Sequence, residues 1–266
     1  IVVMALQFNK PKILFVVEGA VAEAKFLREF HEFVPIEMSE EIVTYKTNIY
    51  QLYNSLFTEG EGADLIRVLK EREKDPSRKS LLNQPFTEIY LLFDYDLHDS
   101  QYSDEKIVEL MDYFDNSTEN GLLLLNYPML ESYRHLRRIP DVAYRYRAVR
   151  FDDCFHYKFI VKRQQFFCDI PNQRIMFEII HHNIDKFNFI NRKTRFDFRL
   201  HGPLEDELKL CLKNTIDFKN RRGLINVMNT GSLLGYAYAP KRMGRLLEDY
   251  LLKEYGEDYV KSQGRA

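Results

Sequence analysis

Two unbroken apolar runs that stop at acids constrain this chain more than any other feature. Ile13-Leu14-Phe15-Val16-Val17 leads straight into Glu18-Gly19, and Ile89-Tyr90-Leu91-Leu92-Phe93 leads into Asp94-Tyr95-Asp96. A short apolar run of this kind reads as a strand buried on both faces, as in parallel sheets. Open α/β sheets place their ligands beyond the C-terminal ends of the strands, where Glu18, Asp94 and Asp96 fall. Gly19 is expected to let the backbone turn tightly into a following helix. In extended geometry residues i and i+2 share a face, so Asp94 and Asp96 are expected to point together. If the two strands are neighbours, three carboxylates converge at one edge. They repel one another unless a hard cation lies between them. Mg²⁺ meets that demand, since it takes oxygen ligands and keeps several waters.

The rest of the N-terminal half supplies the elements for such a sheet. Strands are expected at 13–17, 41–45, 89–94 and 122–125 with helices between them, an α/β fold with right-handed crossovers. Val21 to Val34 carries Phe26, Leu27, Phe30 and Phe33-Val34 at helical spacing, and Pro35 ends it. Glu23 lies in its first turn, either as an acid favoured by the helix dipole or as a further carboxylate of the site. Short helices are expected around Ile49–Phe57 and Leu65–Leu69, with Lys70–Lys79 a solvated helix end and loop. His98, two residues past Asp96, is a proton carrier or a surface residue. Asp104 is expected to cap a helix reaching Phe114. Pro128 suits the first position of a helix carrying Glu131 and then Arg134, Arg137 and Arg138. Arg134 and Arg138 are four apart and would share a face. Three guanidiniums there would suit phosphates, or would pair with the acidic half of the chain.

These residues resemble a known family. Glu18-Gly19 after one strand and Asp94-Tyr95-Asp96 after a later one resemble the TOPRIM domain of topoisomerases, primases and several nucleases. Glu18-Gly19-Ala20-Val21-Ala22-Glu23-Ala24-Lys25-Phe26-Leu27 is similar to the E-G-x-x-T-E-x-x-Y-F pattern of RloB-like and related defence-associated TOPRIM proteins, with Ala22 in place of Thr. Asn126-Tyr127-Pro128-Met129-Leu130-Glu131-Ser132-Tyr133 resembles their N-P-x-F-E-x-W segment, with Tyr127 inserted before Pro128. The resemblance covers roughly residues 10 to 138. It implies a TOPRIM-type four-stranded parallel sheet over residues 1–139. It also implies a metal-dependent nuclease in which Glu18, Glu23, Asp94, Asp96 and Glu131 carry catalysis. Among these, Glu18, Asp94 and Asp96 would hold Mg²⁺ or Mn²⁺. A role in defence against phage follows from the same resemblance, with a separately encoded ABC-type ATPase as partner. No G-x-x-x-x-G-K-[ST] phosphate loop occurs in this chain.

Charge divides the chain in a way that bears on the substrate. Residues 1–132 hold 12 Lys and Arg against 24 Asp and Glu, a balance of −12; residues 133–266 hold 26 against 16, a balance of +10. An acidic half beside a basic one suits an enzyme that grips a polyanion with one part and cuts it in the other; mutual attraction of the halves is the alternative. Residues 140–266 are expected to form a basic, mostly helical domain. In it, Tyr144–Tyr157 alternates aromatics with arginines, a pattern read chiefly as a half-exposed strand or packing face, although such interleaving also stacks bases. His181 and His182 are adjacent and are expected not to serve one metal site. Lys219-Asn220-Arg221-Arg222-Gly223 reads as a compact basic turn, so Arg221 and Arg222 join Arg134, Arg137 and Arg138 as candidate nucleic-acid contacts. Leu204–Ile216 and the stretch around Leu246–Leu251 read as helices, and the tail after Gly256 as frayed.

Three cysteines, without metal-ligand spacing, fit reduced thiols and a cytoplasmic location. No apolar run approaches the ~20 residues that span a bilayer, so no membrane partner is expected. The N-terminus lacks the pattern of a secretory signal, and Met4 is a candidate start. The sequence is compatible with a homodimer. The expected activity is therefore metal-dependent hydrolysis of phosphodiester bonds in RNA, such as tRNA, or in DNA. The alternative is a silent TOPRIM module that binds or regulates, against which stands the repulsion that three converging acids would carry without a purpose.

Overall fold

The structure, a computed structural model, describes residues 12–37, 39–57, 62–193 and 197–263; Met4 lies outside them. The first half alternates strand and helix. In chain order the elements are β1 (Lys12–Val17), α1 (Ala22–Phe33), β2 (Ser39–Thr44), α2 (Ile49–Phe57), α3 (Leu65–Arg72) and α4 (Pro76–Leu81). They continue with β3 (Glu88–Asp94), α5 (Asp104–Tyr113), β4 (Asp115–Asn116) and β5 (Gly121–Asn126). The strands form one sheet in the order β2-β1-β3-β5-β4. The first four are parallel and β4 lies antiparallel on β5. The two acid-tipped strands β1 and β3 are neighbours, as the convergence argument requires. A fifth strand was not expected. It arises because Asn116 Oδ1 accepts the Thr118 N–H at 3.0 Å and folds the chain tightly back onto β5.

Burial explains why these runs are strands. Ile13 through Val17 are all buried, as are Tyr90 through Phe93 and all of β5, so helices must cover both faces of the sheet. α1 supplies one cover with Phe26, Leu27 and Phe30. α5 supplies another with Ile107, Leu110 and Met111. Ser103, not Asp104, caps α5, accepting the Lys106 N–H at 3.3 Å. That leaves the Asp104 carboxylate free to bind inward, where it accepts the Tyr95 hydroxyl at 2.6 Å and pairs with Lys219.

The second half is helical, with a small two-stranded ribbon. After 3₁₀ turns at Leu130–Arg134 and Tyr144–Tyr146 come β6 (Ala148–Arg150), a 3₁₀ turn at Phe151–His156, α6 (Tyr157–Gln164), α7 (Gln173–Arg192) and α8 (Leu204–Arg222). β7 (Leu224–Asn226), α9 (Leu234–Tyr238), α10 (Pro240–Tyr255) and α11 (Glu257–Gln263) complete it. β6 pairs antiparallel with β7. The basic residues Lys219–Arg222 form the last turn of α8 rather than a separate turn, and Gly223 ends it at φ +64°. Residues 257–263 are a helix packed through Val260, not a frayed tail. α7 is the centre of this half: it is buried on nearly all sides, and Asn172 caps it by accepting the Ile175 N–H at 3.0 Å.

The halves share one continuous apolar core. They are also joined where the site lies. Tyr127, just past β5, pairs with Met228 through two backbone hydrogen bonds of 2.8 Å. No helix among the described residues is long and apolar enough to cross a membrane.

Candidate active site at the strand tips

Glu18 stands one residue beyond β1, and the sheet still holds its backbone on both sides. Its N–H donates to the Leu92 carbonyl at 3.3 Å and its carbonyl accepts from the Lys46 N–H at 3.0 Å. Its side chain reaches across to β3, where Oε2 accepts the Asp94 N–H at 3.1 Å. Asp94, the last residue of β3, lies opposite Asn126 of β5. Its Oδ1 accepts the Leu130 N–H at 2.7 Å and the Asn126 side-chain amide at 3.2 Å. β3 stops at Asp94, so simple alternation does not deliver Asp96. Instead Asp96 takes φ +45°, a left-handed conformation that Asp tolerates better than most residues, and this turn brings it to the same cleft. Glu18, Asp94, Asp96 and His98 line a cavity of about 370 Å³. His98 Nε2 lies 3.2 Å from Asp96 Oδ1.

Two more acids sit behind this front. Glu23, in the first turn of α1, is buried. A Cβ at position 19 would fall 2.7 Å from Glu23 Oε2. Gly19 therefore provides room for that carboxylate; its backbone is not in the left-handed region, so the tight-turn reason offered from sequence is not the one that applies. Glu131 lies in the 3₁₀ turn after β5, its Oε2 buried without a hydrogen-bond partner.

Crowding acids in a partly dry cleft makes them hold their protons. Burial pushes Glu18 up to about 8, and the charges of Asp96 and Glu23 add to the effect despite the Asp94 N–H. Burial and the charges of Glu18, Glu131 and Glu23 hold Asp94 well above the usual carboxylate range, outweighing its amide donors. Asp96 and Glu23 are raised too, chiefly by burial.

The cation that enters this field is one the sequence did not single out. Lys158 of α6, exposed on its outer side, places Nζ 3.2 Å from Glu131 Oε1, and its charge is felt at Glu18, Glu23 and Asp96. No motif marks it; in the sequence it lies one residue past the Tyr144–Tyr157 aromatic–basic alternation.

The expected arginines lie elsewhere. The helix predicted from Pro128 does not form: the chain makes a five-residue 3₁₀ turn that ends at Arg134, so Arg134, Arg137 and Arg138 share no helical face. Arg134 lies over the Tyr133 ring and donates to its hydroxyl at 2.8 Å. Arg137 binds Gln164 through its guanidinium, and Arg138 is exposed. Arg222 lines a second, basic cleft of about 570 Å³ with Arg150, Phe151 and Lys219, and Arg221 is exposed beside it.

The C-terminal half positions Asp94. Asn183 of α7 accepts the Asn229 N–H at 2.7 Å and the Tyr144 hydroxyl at 3.0 Å. Asn229 in turn donates to the Leu130 carbonyl at 3.2 Å, and Leu130 donates to Asp94. Asparagines outside any motif give no warning of such a relay.

A different cluster corrects the reading of His181 and His182. Among the described residues, Glu178, His181 and His182 are the group that brings one ligand atom each within 4.8 Å of one another. Adjacency did not keep the histidines apart, because both rings lie against Glu178 one turn earlier. Glu178 Oε2 and His181 Nδ1 have no hydrogen-bond partner, but the hydrogen bonds of His182 oppose its service as a ligand. His182 Nε2 accepts the Asp141 N–H at 2.8 Å, so its proton sits on Nδ1, which donates to the Glu178 carbonyl at 2.7 Å. Neither nitrogen is left for an ion. Compared with family models, curated proteins and solved structures, the chain matches none of them at a significant level.

Proposed function

We propose that the strand-tip cleft is the centre of a TOPRIM-like, divalent-cation-dependent nuclease. The observation that carries this reading is the convergence of Glu18, Asp94 and Asp96 on one cavity, with their carboxyls held above the usual range. An acid set kept in mutual repulsion is a site built for positive charge. The donors are all hard oxygens, and Glu131 has an oxygen without a partner. These features fit Mg²⁺ or Mn²⁺ better than Zn²⁺.

Glu18, Asp94 and Asp96 would hold the cation. When bound it would polarise the phosphate and steady the leaving oxygen. Where it is not a ligand, Glu18 would act as general base on the attacking water. The amides of Leu130 and Asn126 hold Asp94 in place. Lys158 balances Glu131 at rest and, lining the same cavity, is placed to meet an incoming phosphate. The basic second half grips the polyanion. A separately encoded ABC-type ATPase remains the expected partner in defence against phage.

One observation favours a second reading. The Lys158–Glu131 pair supplies the cleft with a cation from the chain itself, as a silent binding or regulatory module would need. Incubating wild type and Glu18→Gln with plasmid DNA and total tRNA, in Mg²⁺ and in Mn²⁺, separates the two. The nuclease reading expects cation-dependent cleavage by wild type alone; equal cleavage by both proteins would remove it.

A further inference from the structure

The aromatic–basic alternation has a consequence beyond packing. Phe155 and Phe159 are 68% and 60% exposed, large for phenylalanine, and lie four residues apart across the start of α6. They are not exposed because the segment is loose. Tyr157 and Val161 bury the opposite side, and the Tyr157 hydroxyl lies 3.1 Å from His135 Nδ1. Both phenylalanines line the same cavity as Glu18, Asp94 and Asp96. Phe155 meets the His98 ring edge-on at 5.4 Å, and the Arg163 guanidinium lies 5.1 Å from the centre of the Phe159 ring. Lys158, Lys162 and Arg163 interleave with the rings, all exposed.

We propose that this face of α6 is a stacking platform for unpaired bases, so that the site takes single-stranded nucleic acid or a single-stranded loop. The proposal rests on the nuclease reading for the cleft beside it. Exposed rings alternating with cations match a polynucleotide, whose bases present flat faces and whose phosphates carry the opposite charge. A protein partner would favour a surface depleted of lysine. The path continues: the 3₁₀ turn Phe151–His156 runs from the basic cleft of Arg150 and Arg222 to the carboxylate cavity. At ~2 Å per residue it spans about 12 Å, the reach of a few nucleotides. Bases inside a duplex are already stacked and cannot use the rings, so the platform discriminates by strandedness.

The test is affinity, measured in EDTA so that cleavage plays no part. The probes are labelled oligo(U) and oligo(dT) of about 12 nucleotides and a duplex of the same length. Replacing each ring by alanine is expected to weaken single-strand binding about tenfold, and both together about a hundredfold. Phe155→Tyr and Phe159→Tyr should retain it, and duplex binding should change little. Equal single-strand affinity in wild type and the double alanine variant, with unchanged circular dichroism and melting, overturns the proposal. So does loss of self-association without loss of oligonucleotide affinity, which would make the face a contact between copies. Cleavage in Mg²⁺ is scored separately: ring-independent cleavage that still needs Glu18 defeats the platform and leaves the nuclease standing, whereas ring-dependent binding without any cleavage does the reverse.

Discussion

Two clusters of ionisable groups in this chain, one half-buried and one buried, are handled in opposite ways. At the strand tips, five acids gather with little to neutralise them, and burial pushes Glu18 up to about 8. In α7, Glu178 is more completely buried, yet it is held down at about 2. Burial acts to raise Glu178 as well, but His181, His182 and the Tyr255 hydroxyl reverse it. Tyr250 adds a hydrogen bond of 2.7 Å to Oε1. One cluster is largely satisfied by the fold, through Glu178 Oε1 and both His182 nitrogens, although Glu178 Oε2 and His181 Nδ1 have no hydrogen-bond partner; the other is left wanting charge. The lesson is that proximity alone, which favours the Glu178 cluster as a cation site, is a poorer guide than what each donor atom is already doing.

The largest expected effect sharpens this contrast. Glu18→Gln or Asp94→Asn should lower cleavage by about 10³-fold or more while the fold persists, whereas Glu178→Gln should leave the rate within about threefold. Single-turnover assays below the melting temperature read both. The reverse test is stability: Glu178→Leu strands two tyrosine hydroxyls and two histidines and should cost about 3 kcal/mol, measured by denaturant unfolding. A neutral result would mean that the network contributes nothing to the fold.

These tests also show what was legible in the sequence. The sheet was readable because β1, β3 and β5 carry uninterrupted apolar runs, and the acids at the tips of β1 and β3 were readable because they end those runs. α1, α2 and α8 were expected as helices from their apolar residues. The helix expected at Pro128 failed because Asp94 captures the Leu130 N–H, fixing a 3₁₀ turn that local spacing does not encode. Lys158, Asn183 and Asn229 were invisible for the same reason: their roles depend on contacts between halves far apart in sequence. The histidines were misjudged by treating adjacency as exclusion, though Glu178 is reached from both.

The clusters should also respond to pH with opposite signs. In chelator, the raised Glu18 keeps its proton in the folded state while the unfolded chain releases it above about 4.5. Stability is thus fully present below that pH and is lost as pH rises through about 8, by up to about 5 kcal/mol. Asp94, Asp96, Glu23 and Glu131 act around it, opposed by Lys158 and His98. His182, pushed down to about 4 by burial and by His181, does the reverse. It faces Glu178, His181, Asp185 and the Asp141 amide, and the unfolded chain takes up the proton first. That stability is present above about 6.5 and is lost as pH falls through about 4. Melting temperatures of wild type, Glu18→Gln and His182→Gln from pH 4 to 9 should separate the two limbs; a Glu18→Gln curve parallel to wild type above pH 5 would break the contrast.

Smaller effects follow. Asp94→Asn with Asp96→Asn should raise stability in chelator by about 1 kcal/mol by relieving repulsion, and should erase any Mg²⁺-dependent rise in melting temperature. Lys158→Met should change stability by less than about 1 kcal/mol, because the pair with Glu131 is largely exposed on the lysine side, and it should tighten divalent binding a few-fold by removing a competing charge.

The most direct measurement is Mn²⁺ binding to the intact protein, followed by calorimetry and by the electron paramagnetic resonance of the free ion. Wild type and Glu178→Gln should bind alike, and Glu18→Gln with Asp94→Asn should not bind. Binding that survives the strand-tip changes but is lost in Glu178→Gln would place the ion in α7 and contradict the account.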